Sequence, residues 1–186
     1  MKRTRKIAGI AAALALAGGI TIGTTGTARA DAIPGQPWTE IVPAFTNNTA
    51  CLDDPSGSAT PGTLVQLWHC HGYSSDGGPQ RWIFVSWGTS SPGNALYSIR
   101  SHNLCYGPVN TTVFSPGTRM WLATCNFIGG PIWTVHSRNA YSGDPVFTLE
   151  DAGWCMALPD FSGGNGERVI IEPCNPGDEL QDWVFG

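Results

Sequence analysis

The sequence predicts an all-β domain assembled from three copies of one unit, and three observations carry that prediction. Three segments close alike: Gln80-Arg81-Trp82-Ile83-Phe84, Pro131-Ile132-Trp133-Thr134-Val135 and Gln181-Asp182-Trp183-Val184-Phe185. Each ends a stretch opened by a cysteine pair, namely Cys51 and Cys70, Cys105 and Cys125, Cys155 and Cys174. Apolar residues after the first thirty positions come in short runs between Gly and Pro, without helical periodicity, which marks short strands and turns. A repeat of about fifty residues means one supersecondary unit used three times. Chemistry specific to one copy must then show as a departure between matching positions.

The chain opens on an export signal. Lys2, Arg3, Arg5 and Lys6 precede an apolar run from Ile7 to Ile22, and Ala28-Arg29-Ala30 fits the small-x-small cleavage rule. Residues 1–30 are therefore predicted to be a signal peptide, with Asp31 the first mature residue and 31–37 a short tail. Gly18 and Gly19 break the run, which disfavours a permanent span, and no later stretch is long and apolar enough to cross a bilayer. The mature chain is predicted to be secreted and extracellular, with no membrane partner. It keeps five basic and all fourteen acidic residues, a formal charge of −9. Such a surface repels polyanions, so nucleic acid is excluded as a partner.

Within the remaining residues, about 155, one domain is expected, long enough to bury a core. Six thiols can pair in 15 ways. Each copy holds two at a nearly constant separation of about twenty residues, so pairing within each copy is the simplest solution. Each bridge then contributes about 3 kcal/mol by constraining the unfolded chain. A zinc site on His69-Cys70-His71 is the competing reading. The matching Cys125 and Cys174 have no flanking histidine, and oxidised cysteine is no thiolate ligand, so no metal or other cofactor is predicted.

The copies span about 38–86, 94–137 and 145–186. Their openings superimpose as Ala44-Phe45-Thr46-Asn47-Asn48-Thr49-Ala50-Cys51-Leu52-Asp53, Tyr97 through Cys105-Tyr106-Gly107, and Phe147 through Cys155-Met156-Ala157. A glycine-containing turn region follows in each: Gly57 and Gly62, Gly117, and Gly163 with Gly164. A second strand then runs into the second cysteine: Val65-Gln66-Leu67-Trp68-His69-Cys70, Met120-Trp121-Leu122-Ala123-Thr124-Cys125 and Val169-Ile170-Ile171-Glu172-Pro173-Cys174. The Trp-containing strand closes each copy.

This order resembles the ricin B-type lectin module, in which Cys-Leu-Asp, Gln-Leu-Trp-x-Cys and Gln-x-Trp mark each of three repeats. The resemblance covers Trp38 to Gly186. It implies a β-trefoil, three four-stranded units around a pseudo-threefold axis, with Trp82, Trp133 and Trp183 in the core. Closing a barrel from three units agrees with the physics, since one unit cannot bury its own apolar face.

The resemblance also implies one shallow sugar site per repeat. An acid two residues after the first cysteine accepts from sugar hydroxyls. An aromatic two before the second cysteine stacks on the ring, and polar residues fix orientation. The first copy carries Asp53, Gln66, Trp68 and Gln80 at these positions. Pro79 stands where the family has Asn, and Tyr73 or Asp76 of the longer 71–78 loop are candidate substitutes. Gln66 and Gln80 have an alternative role as partners for buried backbone, and Asp53 and Asp54 as turn caps. The second copy has Gly107, Trp121, Ala123 and Pro131 instead, and the third has Ala157, Glu172 and Leu180 although Gln181 survives. Both are predicted silent. Trp121 and Trp154 fall outside the pattern and are assigned to core packing.

The leading expectation is a secreted, non-enzymatic carbohydrate-binding protein with at most one family-type site. The resemblance points to galactose-containing glycans or polysaccharides such as xylan. The alternative is a degenerate trefoil serving as a protein-interaction or inhibitor module, with a protein partner. Catalysis is not expected. The carboxylate pairs Asp53-Asp54 and Glu150-Asp151 are adjacent, so strand residues there point to opposite faces. His69, His71, His102 and His136 have no motif-level nucleophile beside them.

Overall fold

The computed structural model describes residues 38–72, 78–90, 94–109, 112–125, 130–137, 145–149 and 152–186. The predicted signal peptide and tail, and Tyr73 and Asp76, lie outside the described residues.

Twelve short strands and three 3-10 turns make up the described chain, and the fold is a β-trefoil. Each repeat contributes one hairpin bounded by its cysteines: β2 (Ala50–Asp53) with β3 (Gln66–His69), β6 (Leu104–Pro108) with β7 (Thr118–Thr124), and β10 (Trp154–Ala157) with β11 (Ile170–Pro173). Three further antiparallel pairs join one repeat to the next. They are β4 (Ile83–Thr89) with β5 (Ala95–Ser101), β8 (Trp133–Ser137) with β9 (Pro145–Leu149), and β12 (Trp183–Phe185) with β1 (Ile41–Pro43). Among the described residues no helix is long and apolar enough to cross a membrane.

The pseudo-threefold relation reaches individual atoms. Trp82, Trp133 and Trp183 are wholly buried. Their indole N–H groups donate to the carbonyls of Leu52, Tyr106 and Met156 at 3.0, 2.9 and 3.0 Å. Each acceptor is the residue directly after a repeat's first cysteine, so the closing tryptophan of every copy is tied to its opening strand. A buried indole needs such a partner, because an unpaired N–H is expensive inside a core. Tyr106 stacks on Trp133 with centroids 5.8 Å apart and leans on Trp82 at 5.3 Å, and its hydroxyl reaches the Met156 sulfur at 3.2 Å. Leu52, Leu67, Ile99, Met120, Leu122 and Ile171 complete the apolar centre.

Three glycines close the ring. Gly62 donates to Leu122 O at 2.7 Å, Gly117 to Ile171 O at 3.0 Å and Gly166 to Leu67 O at 2.8 Å. Repeat one is thereby tied to two, two to three, and three to one. All three have positive φ (+93°, +79° and +83°), the region glycine enters without steric cost. In the third copy the residue that makes this contact is Gly166, in the same turn region as Gly163 and Gly164.

The disulfides join Cys51–Cys70, Cys105–Cys125 and Cys155–Cys174, one per repeat, and no cysteine is free. No thiolate is left for a metal, and among the described residues no group of three His, Cys, Asp or Glu side chains is placed to hold one.

Candidate functional site

Register puts the first-repeat residues on one face. Asp53 lies opposite Gln66 and Cys51 opposite Trp68. Opposed residues of an antiparallel pair share a face and neighbours alternate, so Cys51, Asp53, Gln66 and Trp68 point outward while Leu52 and Leu67 enter the core. Asp53 and Trp68 are thus diagonal neighbours on the outer surface of the hairpin.

Asp53 is held from two sides. Gln66 Nε2 donates to its Oδ2 at 3.0 Å and Gln80 Nε2 to its Oδ1 at 3.3 Å. Each oxygen keeps a further acceptor position. The residue is only 4% exposed, and burial raises its pKa above the ordinary carboxylate value, opposed by the two amides and by His71. Trp68 beside it is 37% exposed, the kind of half-open indole that can cover the C–H face of a sugar ring.

Gln80 is first a strut of the fold. Its Oε1 accepts from His71 N at 2.8 Å and its Nε2 donates to His69 O at 3.0 Å. Gln181 repeats both bonds, with Asn175 N at 2.9 Å and Pro173 O at 3.0 Å. In both copies the amide clamps the chain around the second cysteine, and in the first copy alone it also steadies a carboxylate. Pro79 contributes backbone: its carbonyl accepts from Asp54 N at 2.7 Å.

The other copies show why their faces differ. The register gives Gly107 opposite Trp121 and Cys105 opposite Ala123, then Ala157 opposite Ile170 and Cys155 opposite Glu172. In the second copy a Cβ on Gly107 would stand 2.3 Å from Cγ of Pro131, so the proline ring fills the space of an acid. Trp154 packs against the core beside Phe114, with centroids 6.2 Å apart. Trp121 departs from the expectation of core packing. It shares the outer face with Gly107 and is half-buried, within 4.0 Å of a Cβ built on Gly62.

Two neighbours escape a reading by motif. Arg168 of the third repeat forms an isolated antiparallel backbone bridge with Gln66, on the side away from Asp53 in the row. Asn165 Oδ1 accepts from His69 N at 2.7 Å, which brings the third repeat's turn to the edge of the first repeat's face. Both follow from ring closure, visible in sequence only once Gly166 is aligned with Gly62 and Gly117.

Asp54 points the other way from Asp53, as adjacency on a strand requires. Its Oδ2 accepts from Ser101 Oγ at 2.9 Å and lies 3.6 Å from His102 Nδ1, and its Oδ1 accepts from Ser58 N at 3.1 Å. Ser101 Oγ also lies 3.1 Å from His102 Nδ1, so serine, histidine and carboxylate form one compact cluster in which the Ser101 hydroxyl is buried and donates to Asp54. The cluster sutures repeat one to repeat two.

Residues 37–183 match the model of the ricin-type beta-trefoil lectin domain. The chain belongs to that family. No curated protein matches this lectin domain in sequence. Among solved structures, it is similar to the designed threefold-symmetric protein ThreeFoil at 16% identity and TM-score 0.65, covering 81% of this chain and 98% of that one. The Macrolepiota procera ricin B-like lectin, solved in complex with lactose, aligns at 14% identity and TM-score 0.60, covering 83% and 96%. The C-half of the earthworm R-type lectin, solved with GalNAc, aligns at 15% identity and TM-score 0.55, covering 81% and 98%. At these identities the likeness is one of fold, and the lectin domain's own face has to speak for its chemistry.

Proposed function

We propose that the chain is an exported, non-enzymatic carbohydrate-binding protein with one family-type sugar site, in its first repeat. One observation carries this reading: among the described residues of the three equivalent outer faces, the first alone combines a carboxylate with an exposed indole. Asp53 accepts from two vicinal hydroxyls, Trp68 covers the apolar ring face, Gln66 orients the sugar, and Gln80 holds Asp53 in place. Lactose and GalNAc in the complexes of structural neighbours make galactose-type sugars the first class to test. A single site binds monovalently, so useful avidity requires self-association or a multivalent surface.

The test is a glycan array comparing the protein with Asp53→Ala and Trp68→Ala. Hydrogen bonds to a charged acceptor contribute about 1.5–3 kcal/mol each, so Asp53→Ala should weaken binding by at least tenfold. Unchanged binding in both variants would sink the proposal. The 4% exposure of Asp53 favours a second reading, in which the carboxylate is spent on Gln66 and Gln80 and the trefoil works as a protein-binding module through its loops. Protein partners that survive Asp53→Ala, with no glycan bound, would select it.

A further inference from the structure

Ring closure brings the third repeat's turn to the first repeat's outer face, and at that turn the copies differ. The residue before the ring glycine is Pro61 in the first copy, Pro116 in the second and Asn165 in the third. Asn165 alone offers a polar side chain there. Its Oδ1 accepts from His69 N at 2.7 Å, which fixes the plane of the amide. Both N–H bonds of its Nδ2 are left over, and among the described residues they have no partner.

Arg168 stands three residues on, bridged to Gln66. Val169 next to it is wholly buried, so alternation sends Arg168 outward, to the face that carries Gln66 and Trp68. Among the described residues its guanidinium makes no hydrogen bond and no ion pair. Asp160 balances its charge at longer range: that carboxylate is held below its ordinary pKa first by the amide and hydroxyl of Ser162 and least by Arg168. A guanidinium so balanced serves as a fork of N–H donors to hydroxyls. Between Asn165 and Arg168, Gly166 N donates at 2.8 Å to the carbonyl of Leu67, the residue before Trp68. A Cβ on Gly166 would meet nothing within 4 Å. The exposed Trp68 indole makes no ring contact among the described residues. On its third-repeat side lies a bare shelf, with amide donors at one end and guanidinium donors at the other.

We propose that this shelf is a second sugar subsite, so that the first repeat's site crosses the repeat boundary and takes a saccharide of at least two residues. The first sugar residue uses Asp53 and the face of Trp68. Its neighbour lies over Gly166, where its hydroxyls accept from Asn165 Nδ2 and from the Arg168 guanidinium. The copy that departs from Pro-Gly at the turn is the one whose turn meets the face with an exposed indole. The subsite rests on the first-repeat reading and extends it with donors from outside the first-repeat motif.

The experiment is a calorimetric titration with two sugar pairs, methyl β-galactoside against lactose and xylose against xylobiose. In the pair that binds, the disaccharide should bind about tenfold more tightly than the monosaccharide, as two further hydrogen bonds imply. Arg168→Ala should cut that ratio by about fivefold. Asn165→Asp keeps the acceptor for His69 N and loses the donor, and should cut it by about threefold. In proton–nitrogen NMR spectra the Asn165 amide protons, assigned by their loss in Asn165→Asp, should shift with the disaccharide and stay in place with the monosaccharide. The indole signals of Trp82, Trp133 and Trp183 report that each variant is folded, and the amide shift is read on the unaltered protein. Equal affinity for both sugars of a pair, a ratio unchanged in both variants, a loss that falls alike on both sugars, or an unmoved Asn165 amide overturns the subsite while leaving Asp53 and Trp68 in place. Binding of none of the four sugars, or binding indifferent to Asp53→Ala, overturns the first-repeat reading and the subsite with it.

Discussion

Gly107 and Pro131 show how packing excludes an acid from the second-repeat position that matches Asp53. With Cγ of Pro131 2.3 Å from a Cβ at 107, Gly107→Asp overpacks the face instead of restoring an acid. The expected cost is about 1–3 kcal/mol, read as a lower denaturant midpoint, with no gain in sugar binding. Pairing it with Pro131→Gln should recover most of that loss, and a single variant as stable as the parent would refute the steric account. Asp54 makes a different prediction. Burial raises its pKa above 3.8, against the opposing effects of Ser101, His102 and the Ser58 amide. The folded state then binds the proton more tightly than the unfolded chain, so stability falls as pH rises from that value through the raised one. Asp53, raised for the same reason, adds to the trend. An asparagine at 54 keeps the Ser58 bond through its oxygen, while the Ser101 hydroxyl turns to accept from the new amide. Asp54→Asn should therefore flatten the pH dependence of the melting temperature across mildly acidic pH without lowering it at neutrality. An unchanged slope would remove Asp54 from the account.

The ring glycines belong to the scale of elements, since each allows a turn to reach the neighbouring repeat's hairpin. A Cβ at Gly117 or Gly166 meets nothing within 4 Å, so an alanine there is opposed by backbone conformation alone. Gly117→Ala and Gly166→Ala should each cost about 1–2 kcal/mol, and by nearly equal amounts, because the two turns are equivalent. Strongly unequal melting shifts would mean that the turns are not symmetric in energy. The cysteine pairs, the three closing tryptophans and the hairpin strands were legible in sequence because each is marked by a rare residue at a fixed spacing. Gly166 was hidden among Gly163 and Gly164, although it shares with Gly62 and Gly117 a position four residues before the Gln66, Trp121, Ile170 row. Asp53, Gln66 and Trp68 were legible as a set through the family resemblance that names those positions, and strand alternation puts them on one face. The clamp made by Gln80 was not, since a motif names a residue without saying which of its atoms the fold has already used.

At the scale of the molecule, stability is a property of closure. Repeat one borrows acceptors from two, two from three, and three from one, while β1 is completed by β12 at the opposite end of the chain. A fragment of residues 38–137 would leave Gly117 N and Met120 N without Ile171 O and Val169 O, and Leu67 O without Gly166 N. It would strip β1 of its partner strand and uncover Tyr106, whose hydroxyl rests on Met156. The three disulfides do not compensate, since each lies inside one repeat and constrains only its own loop. Two repeats keep two-thirds of the sequence, yet they lose two of the three ring contacts, because an open row has one junction where a closed ring has three. The full protein should therefore unfold in a single cooperative thermal transition, and the 38–137 fragment should show none while binding a hydrophobic dye such as ANS. A sharp melt of the fragment, with its indole signals dispersed as in the whole chain, would show that a pair of repeats carries its own core and that the third is an addition instead of a keystone.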